Sequence, residues 1–177
     1  MIYRQATIDE VNKRFNQLIK RHEDNDDSWV TWKEEFLEEV GNNQTIPYYA
    51  FYRGKIIGEA YAVIDTEVGF VTDDQAYLKA FRMDTPFRGQ GYFTGLFNFM
   101  INDLIQRGYT RFVIGVDPKD KVNKSRYKHY GFTKYLQTIN CTNPDGTKAR
   151  ISFYLKYLAE NWTNVRTIYG GHIIVTN

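Results

Sequence analysis

Thr85-Pro86-Phe87-Arg88-Gly89-Gln90-Gly91-Tyr92-Phe93-Thr94 joins a β-like run ending at Met83 to a long segment ending near Arg107, and its reading decides the fold. Gly89 and Gly91 form a loop whose backbone can approach a ligand with no Cβ in the way. From Tyr92 onward, Phe93, Leu96, Phe97, Met100, Ile101, Leu104 and Ile105 recur at helical spacing until Gly108 stops the pattern. A strand, a glycine turn and a helix start, in that order, suit phosphate: the first amides of a helix lack internal acceptors and lie at the positive end of its dipole. Arg88 adds a permanent cation with a fork of donors. A Walker A loop would end in Gly-Lys-Ser or Gly-Lys-Thr, which Gln90-Gly91-Tyr92 does not supply. A dinucleotide fingerprint starting at Gly89 needs a glycine where Thr94 stands.

Upstream of this stretch, Ile2 to Ala6 reads as a short strand, and Thr7 with Glu10 forms a capping box that opens a helix. Val11, Phe15, Leu18 and Ile19 give that helix an apolar face, with Lys13, Arg14, Asn16 and Lys20 assigned to the other. His22 to Asp27 ends it, and Trp29 to Val40 makes a second helix closed by Gly41. Tyr48 to Tyr52 and Ile56 to Ile64 then predict an antiparallel hairpin around Arg53-Gly54-Lys55, and Ala76 to Met83 a partly buried strand. Downstream come a strand at Arg111 to Val116, a short helix at Asn123 to Tyr130, and strands at Phe132 to Asn140 and Arg150 to Leu158 around a turn at Asn143-Pro144-Asp145-Gly146. The main domain is expected over 1–158. The stretch 159–177 is expected to be a strand or hairpin extension, within the same domain or at a homodimer contact.

With 42% hydrophobic and 25% charged residues among 177, the chain has the composition of one globular domain. Lys and Arg number 23 against 21 acids, a net charge of +2 that is too balanced to point to nucleic acid. No window approaches the roughly 18 apolar residues of a membrane span. Met1-Ile2-Tyr3-Arg4-Gln5 has no apolar signal core and Cys141 stands alone, so the expected location is cytoplasmic. His22, His129 and His172 are scattered, so no metal is expected.

The glycine turn resembles the signature of the GNAT superfamily of N-acetyltransferases: Arg or Gln, two residues, Gly, one residue, then Gly or Ala. Arg88, Gly91 and Phe93 take the three places, the last with an aromatic where a small residue is common. A second segment, Asn123-Lys124-Ser125-Arg126-Tyr127-Lys128-His129-Tyr130-Gly131-Phe132, looks like the family's Asn-to-Tyr-x-x-x-Gly-Phe element. The resemblance runs from Ile2 to about Leu158 and implies an α/β (α+β) fold. That fold has a mixed, mostly antiparallel central sheet of about seven strands flanked by about four helices.

What the resemblance implies is acetyl transfer from acetyl-CoA to a small-molecule or peptide amine by direct attack on the thioester, with backbone donors stabilising a tetrahedral intermediate. Arg88 and the amides of Gly89, Gln90, Gly91, Phe93 and Thr94, with Tyr92 opening the helix, are the expected pyrophosphate ligands, and the Thr94 hydroxyl can add a bond. The strand end at Phe81, Arg82 and Met83 is expected to pair with the pantetheine amides. Asn123 either holds the same arm or caps its helix. Tyr127 matches the family's general acid: a phenol with a pKa of about 10 can donate to a thiolate whose conjugate acid has a pKa of about 8.5. Otherwise it packs. Glu59 is the first candidate base and Asp84 the second, with an exposed strand glutamate and a turn-shaping aspartate as the plainer readings. Cys141 has no assembled His partner, which argues against an acyl-cysteine route. Trp29 and Trp32 are candidate walls of an acceptor pocket, and Asp73 and Asp74 candidate attractors of a cationic amine. The alternatives are a non-catalytic acyl-CoA-binding module and an interaction protein whose tail adds strands to a partner.

Overall fold

Thr7 and Glu10 cap each other: the Thr7 amide donates to Glu10 Oε2 at 3.0 Å and the Glu10 amide to Thr7 Oγ1 at 3.3 Å. This box opens helix α1 (Ile8–Arg21), which follows strand β1 (Ile2–Gln5). The computed structural model describes residues 1–21, 28–65, 75–142 and 146–157, and the strand residues 167–168 and 172–173. The segments 22–27 and 143–145, and with them Asp73 and Asp74, lie outside the described residues.

Next come α2 (Ser28–Gly41), β2 (Thr45–Tyr52), β3 (Lys55–Val63) and β4 (Gln75–Met83). A short 3₁₀ turn, Thr85–Phe87, leads to α3 (Tyr92–Gln106), followed by β5 (Arg111–Val116), α4 (Lys121–His129), β6 (Lys134–Thr142) and β7 (Lys148–Tyr157). This is the element order expected from the sequence. The pair β8 (Thr167–Ile168) and β9 (His172–Ile173) is antiparallel, and the rest of the expected tail hairpin lies outside the described residues.

Seven strands form one sheet in the order β1-β2-β3-β4-β5-β7-β6, antiparallel throughout except for the parallel pair β4 and β5. Arg53 and Gly54, both at positive φ (48° and 74°), make the two-residue turn of the β2–β3 hairpin. Both faces of β2 and β3 are covered, so they read as nearly continuous buried runs. Tyr48, Ala50, Ile57 and Ala62 pack on Leu96, Phe97, Met100 and Ile101 of α3. Tyr49, Phe51, Ile56 and Tyr61 face Val11 and Phe15 of α1 and Phe36 of α2 on the opposite side. Gly95 lets β1 lie against α3, since a Cβ there would come within 2.3 Å of the Tyr3 hydroxyl.

Two local expectations change. Arg14 is on the buried face of α1, 1% exposed, beside Val11, Phe15 and Leu18. The reason is spacing: three residues after Val11 and four before Leu18, it falls inside the inward stripe. Helix α4 starts two residues before Asn123, and its N-cap is Asp120, whose carboxylate accepts the Asn123 amide at 2.9 Å. Asn123 is therefore not the cap.

Candidate active site

The sheet opens where β4 and β5 part. Their register runs from Gln75 opposite Arg111 to Leu78 opposite Ile114, while β4 continues to Met83 against β3 alone. A bulge helps to turn the strand away: Ala80 sits at φ 56°, and Ala80 and Phe81 together span the register shift opposite Ala60. Among the described residues no strand pairs with the end of β4 on its β5 side, which leaves backbone donors and acceptors there for a ligand.

Next to this free edge, Gly91 caps α3 from the left-handed region at φ 79°, and Gly89 lies at φ 74°. A Cβ added to either glycine would meet nothing within 4 Å, so the space in front of the turn is open. The first amide to close a helical turn is that of Gly95, onto Gly91 O at 3.1 Å; the amides of Tyr92, Phe93 and Thr94 precede it and have no acceptor inside the helix. Arg88 is tied back by Nε to Met83 O at 2.8 Å, and Gln90 Nε2 donates to Pro86 O at 2.8 Å, so both side chains brace the loop. The Phe93 ring stacks on Phe97 at 6.3 Å and meets Phe81 and Tyr130 edge-on, which turns it toward the core.

A cavity of about 850 Å³ spans the opening and draws its wall from both faces of the sheet. On the α3 side stand Phe81, Gly89, Gly91, Phe93, Thr94 and Tyr127; Met83, Arg88 and Asn123 also line it. Leu18, Trp29, Arg82 and Asp84 line it toward α1 and α2. Glu59, Gln90, Tyr92 and Trp32 are not among its walls. The Tyr127 ring lies 6.0 Å from that of Phe81 and 6.4 Å from that of Phe132, and burial raises its phenol pKa, opposed by the nearby Arg126. Thr94 Oγ1 shares a 2.8 Å hydrogen bond with the Tyr130 hydroxyl. Asn123 is engaged within its own helix, its amide group donating to Asp120 Oδ2 and its oxygen accepting from Arg126.

The candidate carboxylates belong to a lattice of arginines. Glu59 is fully buried: Oε2 accepts Arg14 Nε at 2.8 Å and Oε1 accepts Arg82 Nη1 at 2.6 Å. It is therefore not a solvent-facing strand residue. Asp84 Oδ1 accepts Arg14 Nη2 and Arg21 Nη1, each at 2.9 Å. Burial pushes the Asp84 pKa up, but the hydrogen bonds and charges of Arg21 and Arg14 outweigh it and leave the group below the usual aspartate value. The Arg82 guanidinium carbon lies 4.8 Å from the centre of the Trp29 ring. The sequence pattern assigns Arg14 to the outer face of α1 and singles out nothing at Arg21, so neither is expected at the site. Among the described residues no group of three or more His, Cys, Asp or Glu is arranged to hold a metal, and no helix is long and apolar enough to cross a membrane.

A helix entrance lined with glycines, at the parting of two parallel strands, forms a cleft suited to a phosphate-bearing ligand, and comparison with known proteins supplies the class. The profile described as Acetyltransferase (GNAT) family matches residues 8–132, and the chain belongs to that family. Among solved structures it is similar to a ribosomal-protein-alanine N-acetyltransferase from Brucella melitensis, with TM-score 0.66 and 16% identity over 89% of this chain and 100% of that one. An N-acetyltransferase from Staphylococcus aureus Mu50 gives TM-score 0.65 and 15% identity over 88% and 97% of the two chains. An aminoglycoside 6'-acetyltransferase type Ii gives 0.64 and 17% over 89% and 97%. No curated protein sequence matches significantly. The seven-stranded mixed sheet with helices on both faces is the fold these structures share, and the chain is an acyltransferase of the acetyltransferase class. Family membership implies acetyl-CoA as cosubstrate.

Proposed function

We propose that the chain is a cytoplasmic, acetyl-CoA-dependent N-acetyltransferase that passes the acetyl group directly to a small-molecule or peptide amine in a ternary complex. One observation carries this reading: the open glycine turn at the start of α3, the unpaired end of β4 and the Tyr127 phenol all border one cavity. Acetyl-CoA fits the residues present. Its pyrophosphate suits the amides from Gly89 to Thr94 with Arg88 beside them, and its pantetheine amides suit the free edge at Phe81 to Met83.

Bound there, the cosubstrate supplies an activated acetyl group. The amine nitrogen forms a bond to the acetyl carbon as the carbon–sulfur bond breaks. Tyr127 gives its proton to the sulfur and regains one from solvent. The proton lost by the amine goes to water. Asp84 is the carboxylate on the wall, but two arginines hold it in its charged form and make it a weak base. Glu59, with both oxygens occupied and no place on the wall, acts as a positioning residue for Arg14 and Arg82. Cys141 lies on β6 with its Sγ toward Ala149 O and is not on the cavity wall, which favours direct transfer over an acyl-enzyme.

Two measurements test the reading. Calorimetric titration with coenzyme A should show binding, and release of its thiol from acetyl-CoA should require an amine. A protein that takes up no coenzyme A is not this enzyme; one that binds it but frees no thiol whichever amine is supplied is a binding module.

A further inference from the structure

Arg14 is 1% exposed and lines the cavity, yet its Nη1 is buried without a hydrogen-bond partner. Its Nε and Nη2 are taken by Glu59 and Asp84, so Nη1 is the one nitrogen of this cavity-lining guanidinium left without an acceptor. A buried N–H of a charged group left unmade is costly, and such a donor is normally satisfied by a partner that arrives. The surrounding charge indicates the partner's sign. Among the described residues, Arg14, Arg21 and Arg82 form ion pairs with Glu59 and Asp84 alone, three cations to two carboxylates. A neighbouring cavity of about 660 Å³ shares Arg21 and Asp84 and adds Lys13, Arg53 and Lys55 to its wall, with no further acid among the described residues. This approach repels a polycation and attracts an anion.

We propose that the acceptor is an amine carrying a carboxylate, of amino-acid size, whose carboxylate is held by Arg14 Nη1 and Arg82. A single negative charge matches the single excess positive one. The planar fork suits a carboxylate, and Leu18 and the Trp29 ring offer apolar contact for the rest of the molecule. Size follows from the cavity, since about 850 Å³ must also admit the acyl arm of the cosubstrate. The inference rests on the acetyl-transfer reading above and departs from attraction of a cationic amine.

The test compares matched acceptors on the purified full chain: phenylalanine, phenylalaninamide and phenethylamine, then leucine, leucinamide and isoamylamine. Thiol release is followed at saturating acetyl-CoA, with rates expressed per neutral amine. The carboxylated member of a set should exceed the others in kcat/KM by at least about tenfold. Arg82→Gln should erase that gap, read as the ratio of kcat/KM within each matched set at saturating acetyl-CoA. Arg14→Lys, which keeps a charge against Glu59, should narrow it. Equal or better turnover of the uncharged or cationic amines, with coenzyme A bound, overturns this inference and leaves the acetyl-transfer reading standing. So does a gap that survives Arg82→Gln. Failure to bind coenzyme A at all removes both.

Discussion

Arg14 Nε donates to Glu59 Oε2 over 2.8 Å, with the two side chains 1% and 0% exposed, and this pair ties helix α1 to strand β3 beneath the cavity. Removing Arg14 leaves the buried Glu59 carboxylate with Arg82 alone and one oxygen unpaired, whereas removing Arg14 and Glu59 together takes away that orphaned acceptor. Burial alone would lower the Arg14 pKa, but Glu59 and Asp84 more than offset it, so the guanidinium stays charged. Arg14→Met should therefore cost about 3–5 kcal/mol, and Arg14→Met with Glu59→Leu should cost less than Arg14→Met alone. Urea unfolding midpoints of the two variants decide it. A double variant as unstable as the sum of its parts would show that Arg14 and Glu59 do not act as a pair.

Tyr127 is held among the Phe81 and Phe132 rings, and burial keeps its phenol protonated well past neutral pH. That is the state needed to supply a proton to a departing thiolate. Tyr127→Phe keeps the ring packing and removes the proton, so kcat should fall by roughly 100-fold with coenzyme A affinity unchanged. Packing alone would leave kcat intact, and thiol-release assays beside calorimetry separate the two.

Gly91 holds the left-handed backbone at φ 79° that starts α3, with open space where a Cβ would go. Gly91→Ala meets no steric block and pays only the conformational cost, about 1 kcal/mol. The fold should survive while the turn relaxes away from the geometry that presents its amides. The expected result is a KM for acetyl-CoA raised several-fold with kcat little changed, read from initial rates. A variant with unaltered KM would show that the turn does not hold the cosubstrate.

The order of elements was legible in the sequence because each carries a local signal: the Thr7–Glu10 box, the Arg53-Gly54 turn, and the apolar face from Leu96 to Ile105. The charged lattice was not. Arg14 was assigned outward because it is charged, although its spacing put it inside the stripe, and its partner Glu59 lies 45 residues away with no local mark of the pairing. Glu59 itself was noticed as an odd carboxylate in a β-rich run, and that oddity records burial beside two arginines. The start of α4 was misplaced because the capping aspartate, Asp120, sits in the turn Asp117 to Asp120, where any of several polar residues would serve. Phe93 drew notice as a large residue at a small-residue place; its ring turns into the Phe81, Phe97 and Tyr130 cluster, which no reading of a four-residue motif contains.

Lys156 offers the sharpest test of how charge is buried in this fold. It is 2% exposed on β7, its ammonium donates to Tyr130 O at the C-cap of α4, and the Phe97 and Phe132 rings lie 6.0 and 5.9 Å from Nζ. Burial pulls its pKa from the ordinary 10.5 down to about 8. Between those two values the unfolded chain binds more protons than the folded one, so this lysine makes stability rise with pH through that window; below it both states are protonated and the penalty is constant. Tyr48, Tyr49 and Tyr61 act in the opposite sense at higher pH, because burial raises their phenol pKa values and the unfolded phenols ionise first. The difference between the wild type and Lys156→Met isolates the lysine. Relative to that variant, the wild type should gain about 2 kcal/mol between about pH 7.5 and about pH 9.5, measured by urea unfolding at each pH. A difference that stays flat across that range would mean the ammonium is solvated in the folded state, and its contact with α4 would then lose its electrostatic meaning.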